Sequence, residues 1–148
     1  MIRRLIRLSL LIPVVSVATW LALRPASGAA SPGAVPAVIT AAAARMSKSL
    51  GDTNPKSAMY VETTRRSGEA AIGNHMFGPD TPVYLVLLQG AFVKQNHYGP
   101  AGKHGPLTGS VVTFTVDKKT HKILDFSIGD RSYDLSSLGR VVSFRPTA

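Results

Sequence analysis

The chain has 148 residues, of which 45% are hydrophobic and 17% are charged, and it contains no cysteine. This length and composition predict one globular domain, because the charged fraction is too low and the apolar fraction too high for a disordered chain. The absence of cysteine excludes a disulfide scaffold, a thiolate metal site and a cysteine nucleophile.

The net charge of +9 is unevenly distributed along the chain. Residues 1–30 hold four arginines and no acidic residue, so that residues 31–148 carry a net charge of +5. Basic residues in this larger part are scattered, with Arg65–Arg66 and Lys118–Lys119 as the only doublets. Nucleic-acid binders concentrate basic residues in a patch or stripe. The sequence therefore argues against a nucleic-acid partner.

Residues 1–30 have the pattern of an export segment. Three arginines among the first seven residues precede an apolar run from Leu8 to Leu23, and small residues follow. This order predicts a signal peptide that is cleaved near Gly28 or Ala30. An uncleaved membrane anchor over residues 5–23 is the alternative. In both cases we expect an extracytoplasmic body, either secreted or anchored to the cell membrane.

A linker over residues 31–36 leads into a single small domain over residues 37–148. Apolar residues recur at helical spacing over 37–50, and Gly51 supplies a C-terminal stop. The apolar stripe consists of Ile39, Ala42, Ala43, Met46 and Leu50. Because it is thin and rich in alanine, we expect this helix to lie on a sheet rather than to form a core alone.

Two strands are predicted in the next part of the chain. Ala58–Thr64 is rich in β-formers, and Val83–Val93 is apolar on both faces, which is typical of a central strand. Gly90 indicates a bulge or a bend within the second strand. Residues 65–72 fit either a continuation of the first strand or a short helical turn.

The region after residue 107 predicts a hairpin with one buried face. Six alternating residues form that face, namely Val112, Phe114, Val116, Leu124, Phe126 and Ile128. Alternation then places Thr113 and Asp125 on the solvent side. Ser132–Gly139 predicts a short helical turn with Leu135 and Leu138 pointing inward, and Val141–Phe144 an edge strand.

These elements predict an α+β fold, with one helix packed on a mainly antiparallel sheet of about four to five strands. No second long helix separates the later strands, so parallel crossovers are not expected.

The hairpin from Val111 to Asp125 resembles the terminal hairpin of PepSY-like domains. Such hairpins read apolar-x-apolar-Asp-x-x-Thr-Gly-x-Val/Ile, and Asp117, Thr120 and Ile123 match that pattern. His121 stands in the glycine position, where the turn requires a residue that tolerates a positive φ. The body of the chain also resembles small exported bacterial proteins of unknown function. The first resemblance implies a module that inhibits or modulates extracytoplasmic enzymes, peptidases among them.

A turn-rich excursion over Lys94–Leu107 is the candidate binding surface. It contains Lys94, His97, Tyr98, Lys103 and His104. The two histidines match no closed zinc pattern, and no carboxylate lies among these residues, so we expect neither a metal nor a cofactor.

Other polar residues carry no catalytic signature. The chain has no Gly-x-Ser-x-Gly elbow and no calcium loop. We expect Arg65–Arg66 to form a solvated strand end, Asp125 to face solvent and Asp134 to cap the turn before Leu135.

These features predict an exported, non-catalytic domain that binds or modulates an extracytoplasmic protein. An envelope structural protein tethered by residues 5–23 is the main alternative. A small extracytoplasmic hydrolase that uses His97 or His104 is the remaining one.

Overall fold

The computed structural model describes residues 34–75, 78–98 and 104–146, and only the backbone of residues 96–98 and 104. The elements in chain order are α1 (Ala37–Ser49), β1 (Ser57–Thr64), α2 (Arg65–Ala71), β2 (Pro82–Tyr98), β3 (His104–Asp117), β4 (Ile123–Gly129), a 3-10 turn (Ser136–Leu138) and β5 (Val142–Phe144). This is an α+β fold, as predicted. Neither described helix has the length and apolarity that crossing a membrane requires. The expected export segment, residues 1–30, lies outside the described residues.

The five strands form one antiparallel sheet in the order β4-β3-β2-β1-β5. β2 is the middle strand, which explains why its side chains are apolar on both faces. β5 pairs with β1 at the edge, as predicted for Val141–Phe144. Because β4 and β5 are at opposite edges, residues 130–141 must cross the whole sheet.

One face of the sheet packs against α1. All five residues of the predicted stripe are buried there, against the even-numbered side chains of β1, β2 and β3. The alanines Ala42 and Ala43 let the helix backbone lie close to the sheet, so that larger residues such as Phe92 and Phe114 fill the space beside it. Gly51 ends the helix with a φ of 80°, a conformation that glycine adopts without strain.

The opposite face of the sheet is also covered. Residues 65–71, left open between strand and helix by the sequence, form α2, and the Thr64 hydroxyl caps it by accepting from the Ser67 amide. The crossing segment adds Tyr133, Leu135 and Leu138 to this face. The predicted turn with an inward Leu135 is therefore confirmed, and Asp134 does cap it, since its Oδ1 accepts from the Ser136 amide at 2.9 Å.

The β3–β4 hairpin follows the predicted register in part. Val112 pairs with Ile128 and Phe114 with Phe126, but the register shifts between Thr115 and Val116. Ile123 therefore packs against the α1-side core in the place expected for Leu124, and that expectation was wrong. Phe126 was also expected to be buried, yet it is 40% exposed because β4 is an edge strand.

The β3–β4 turn confirms the expected role of His121. Its φ is 60°, the left-handed conformation that the turn requires. The Asp117 carboxylate accepts from the backbone amides of Lys119 and Thr120 at 2.9 and 2.6 Å. These hydrogen bonds lower the pKa of Asp117, and the bond from the Thr120 amide has the largest effect.

Candidate functional site

A two-stranded arm projects from the sheet. β2 pairs with β1 only as far as Gln89, and β3 pairs with β4 only from Val111 onward. Beyond these points the two strands pair with each other alone, over residues 94–98 and 104–108, which we call the arm. Five residues of strand span about 16 Å. The described strands of the arm therefore extend beyond the ends of the neighbouring strands β1 and β4.

The predicted Lys94–Leu107 excursion is thus mostly strand, and the expectation of an irregular loop was wrong. Lys94 pairs with Leu107, and Tyr98 pairs with His104. Gly99, Pro100 and Gly102 belong to residues 99–103, which lie outside the described residues, whereas Gly105 and Pro106 lie in β3. Pro106 falls where the register shifts, a position that tolerates a residue without an N–H group.

The five predicted binding residues are distributed unequally along this arm. Lys94 is half-buried, and its Nζ lies 4.5 Å from the centroid of the Phe126 ring. The backbones of His97 and Tyr98 lie in β2 and that of His104 in β3, which brings them to the distal end of the arm. Lys103 lies outside the described residues.

The root of the arm, residues 90–93 and 109–110, is held by hydrogen bonds to groups outside the sheet. The Asp52 carboxylate accepts from the Ala91 amide at 2.8 Å, and the Leu50 carbonyl accepts from the Val93 amide at 2.8 Å. On the other strand, Asp130 accepts from both the amide and the hydroxyl of Ser110, at 2.9 and 3.0 Å. These bonds satisfy backbone donors at the points where β1 and β4 no longer do so.

Gly90 shows why the bend at this root requires glycine. The register shifts between Gln89 and Phe92, as the predicted bulge implied. A Cβ atom at Gly90 would overlap the Asp52 carboxylate and come within 2.9 Å of the Phe92 ring. Glycine therefore permits the close approach that lets Asp52 hold the arm.

A second group of functional candidates lies under α2, where the sequence predicted solvent. The Arg65 guanidinium donates two hydrogen bonds of 2.8 Å to the Asp125 carboxylate, which also accepts from the Thr115 hydroxyl at 3.2 Å. The Arg65 side chain is 10% exposed and that of Asp125 is 35% exposed. The expectation of a solvated strand end was wrong for Arg65 but is confirmed for Arg66, whose side chain is 72% exposed. Asp125 is partly covered by its ion pair with Arg65 and does not simply face solvent.

Two hydroxyl groups continue this polar layer along the hairpin. The Oγ atoms of Thr113 and Ser127 lie 2.7 Å apart. Thr113 is buried, contrary to its predicted solvent position. The alternating pattern of the hairpin correctly predicted one apolar and one polar face. The polar face is largely covered, however, and its hydroxyl groups hydrogen-bond to other side chains rather than to water.

Glu69 is the buried carboxyl group beside this layer. Burial raises its pKa, and the neighbouring Asp125 carboxylate adds to the rise, while a hydrogen bond from the Asn74 side chain and the positive charge of Arg65 oppose it. Arg65 and Glu69 are four residues apart on α2. That spacing was visible in the sequence, but only the helical reading of residues 65–72 makes the two side chains neighbours.

A polar cavity of about 230 Å³ opens beside these groups. Its floor consists of strand residues from β3 and β4, and its rim comes from the α2–β2 loop and the crossing segment. The lining residues are Asn74, Val111, Thr113, Ser127, Ile128, Gly129, Arg131 and Tyr133. Sequence reasoning missed this site because its residues come from three separate parts of the chain.

The polar side chains of this layer are engaged with one another. Asp125 is held by Arg65, and the Thr113 and Ser127 hydroxyls hydrogen-bond to each other. Across residues 34–75, 78–98 and 104–146, no three His, Cys, Asp or Glu side chains are grouped so that they could hold a metal ion.

No family model matches the chain, and no curated protein or solved structure matches it either. The resemblance of the hairpin to PepSY-like domains therefore stays a prediction.

Proposed function

We propose that the chain is an exported, non-catalytic domain that binds an extracytoplasmic protein through the arm. The observation that carries this proposal is the extension of β2 and β3 beyond both of their neighbours. An isolated two-stranded ribbon is marginal as a structural element in water. Its root is nevertheless pinned on both strands, which favours a role for the part that projects.

The edges of the arm suit the addition of a partner strand. From Lys94 outward, β1 no longer pairs with β2, so backbone N–H and C=O groups face outward along this edge. Extended peptides bind such edges through main-chain hydrogen bonds. The β2 edge contains no proline over residues 91–98, whereas the β3 edge contains Pro106. We therefore assign the partner to the β2 edge.

Charge specifies the partner further. Residues 91–109 contain two lysines and two histidines and no acidic residue. A partner segment with acidic side chains would complement this surface and associate faster at low ionic strength. The proposed partner is accordingly an extended, acidic segment of an extracytoplasmic protein.

The test compares partner capture by the full-length protein with capture by two variants. In the first variant, an Asn-Gly turn replaces residues 96–105, which closes the hairpin without the distal arm. The control carries Lys119→Gln and Lys122→Gln in the β3–β4 turn, at the opposite end of β3. We expect extracytoplasmic proteins captured by the wild type to be lost from the first variant and retained by the control.

The comparison requires that both variants still unfold cooperatively on heating. We expect this because the hydrogen bonds at the root of the arm lie outside the replaced residues. Equal capture by the wild type and the shortened hairpin would show that the arm is not the binding surface. Equal loss from both variants would show that only net positive charge matters.

A further inference from the structure

We propose that the cavity between the β3–β4 hairpin, Asn74 and the crossing segment binds a small monocarboxylate of about the size of an amino acid. The cavity lies on the face opposite α1 and shares no residue with the arm. Its volume, about 230 Å³, is close to the lower end for small-molecule sites. It is lined by two strands, a loop and the crossing segment, so a ligand would contact several elements at once.

Arg131 is the charged group among the lining residues. Its guanidinium lies 5.3 Å from the Tyr133 ring, which orients the planar group by a cation–π contact. Arg131 is exposed, and it forms no ion pair within the described part of the chain. A stacked guanidinium keeps its N–H fork free, and this fork matches the two oxygens of a carboxylate.

The floor of the cavity offers neutral hydrogen-bonding groups. The hydroxyls of Thr113 and Ser127 share one hydrogen bond, which leaves the second hydroxyl proton for a ligand. The side chain of Asn74 lines the same space from the loop after α2. A ligand with an amide or hydroxyl group next to its carboxylate could hydrogen-bond to groups on both the floor and the rim of the cavity.

The surrounding charges favour a single negative charge over two. The carboxyl groups of Glu69 and Asp130 belong to residues that contact or adjoin the lining: Asn74 hydrogen bonds to Glu69, and Asp130 precedes Arg131. One guanidinium near such carboxyl groups provides little attraction for a doubly charged phosphate. Because like-charge repulsion grows with the charge of the ligand, these surroundings disfavour a doubly charged phosphate more than a monocarboxylate.

The test titrates N-acetylalanine into the full-length, ¹⁵N-labelled protein in a non-ionic detergent and follows the amide resonances by NMR. We expect saturable shifts centred on the cavity, with a dissociation constant on the order of 1 mM because the ligand is small. N-acetylalanine amide, which has the same shape without the charge, should bind about tenfold more weakly.

Two variants and one control locate the site. Arg131→Gln should weaken binding about tenfold. Gly129→Leu should abolish it, because a Cβ at Gly129 meets no atom within 4 Å and, on the same face as its partner Val111, points toward the cavity. The control, Arg140→Gln, removes an exposed arginine that does not line the cavity and should leave binding unchanged.

The proposal is overturned if N-acetylalanine shows no saturable binding, if the amide binds as well as the acid, or if Arg131→Gln and Arg140→Gln behave alike. Well-dispersed spectra of the variants exclude unfolding as the cause of a loss. Because the arm is untouched in all variants, partner capture by the arm is measured independently of this result.

Discussion

Removing the charge of Asp125 tests whether the ion pair with Arg65 holds α2 on the sheet. Asp125→Asn keeps the size of the side chain but leaves a nearly buried guanidinium without its counter-charge. Breaking a fully buried pair in this way costs about 3–5 kcal/mol. Since Asp125 is 35% exposed, water replaces part of the lost interaction, and we expect a loss of about 2–3 kcal/mol in the free energy of unfolding.

The matched control is Glu62→Gln, which breaks the ion pair of Glu62 with Lys118. These side chains are 56% and 33% exposed, so the pair lies largely in water. Exposed pairs contribute less than about 1 kcal/mol. Urea unfolding of the full-length protein, followed by circular dichroism, measures both losses. About 1 M salt should reduce the effect of the control much more than that of Asp125→Asn.

A double-mutant cycle isolates the pair itself. Arg65→Met combined with Asp125→Asn should cost less than the sum of the two single changes, with a coupling of about 1–3 kcal/mol. Equal losses for Asp125→Asn and Glu62→Gln, or additive single changes, would refute the assignment of a stabilising buried pair to this face.

Three further changes test other parts of the fold by thermal and urea unfolding. Phe114→Ala should cost about 3–5 kcal/mol, and Phe126→Ala less than half of that loss, because Phe126 is 40% exposed; similar losses would contradict the assigned register. Glu69→Gln should stabilise the protein at about pH 8, since burial raises the pKa of Glu69 above its usual 4.5. The penalty for ionising Glu69 is present above the folded-state pKa and disappears as the pH falls to the unfolded-state pKa, so wild type and variant should converge near pH 4; a pH-independent difference would contradict this cause. His121→Gly should raise the melting temperature, because a φ of 60° costs a non-glycine residue about 1 kcal/mol; a lower melting temperature would mean that the His121 side chain stabilises the turn.

The sequence was sufficient for the elements whose pattern is local. The stripe of α1 depends on spacing within one helix, and the central position of β2 follows from its uniform apolarity. The hairpin register was predictable at Phe114 for the same reason. It failed at Leu124 because the register shift there puts Ile123 opposite Val116, while Phe126 and Ile128 keep their expected partners, and an alternating pattern does not reveal where a bulge lies.

The second face of the sheet could not be predicted because polarity is not the same as exposure. Thr113 and Asp125 occupy polar positions of alternating strands, which is typical of a solvent face. Their burial depends on α2 and on the segment that crosses from β4 to β5, and both are long-range features. The cavity beside them requires the same tertiary contacts.

The arm was mispredicted for a related reason. Glycine and proline are frequent between Lys94 and Leu107, and locally they indicate turns. Two strands that pair with each other over these residues supply hydrogen bonds that outweigh this local preference. The choice of Lys94, His97, Tyr98 and His104 as binding residues now rests on their place along the arm.

The bonds at the root of the arm couple its direction to α1. Leu50 fills the core with its side chain while its carbonyl holds Val93, and Asp52, two residues further on, holds Ala91. Hydrogen bonds therefore join the end of α1 to the start of the arm. A displacement of that helix end would change the direction in which residues 94–98 leave the sheet. Conversely, a force applied to these residues would reach the last turn of α1 as well as the sheet.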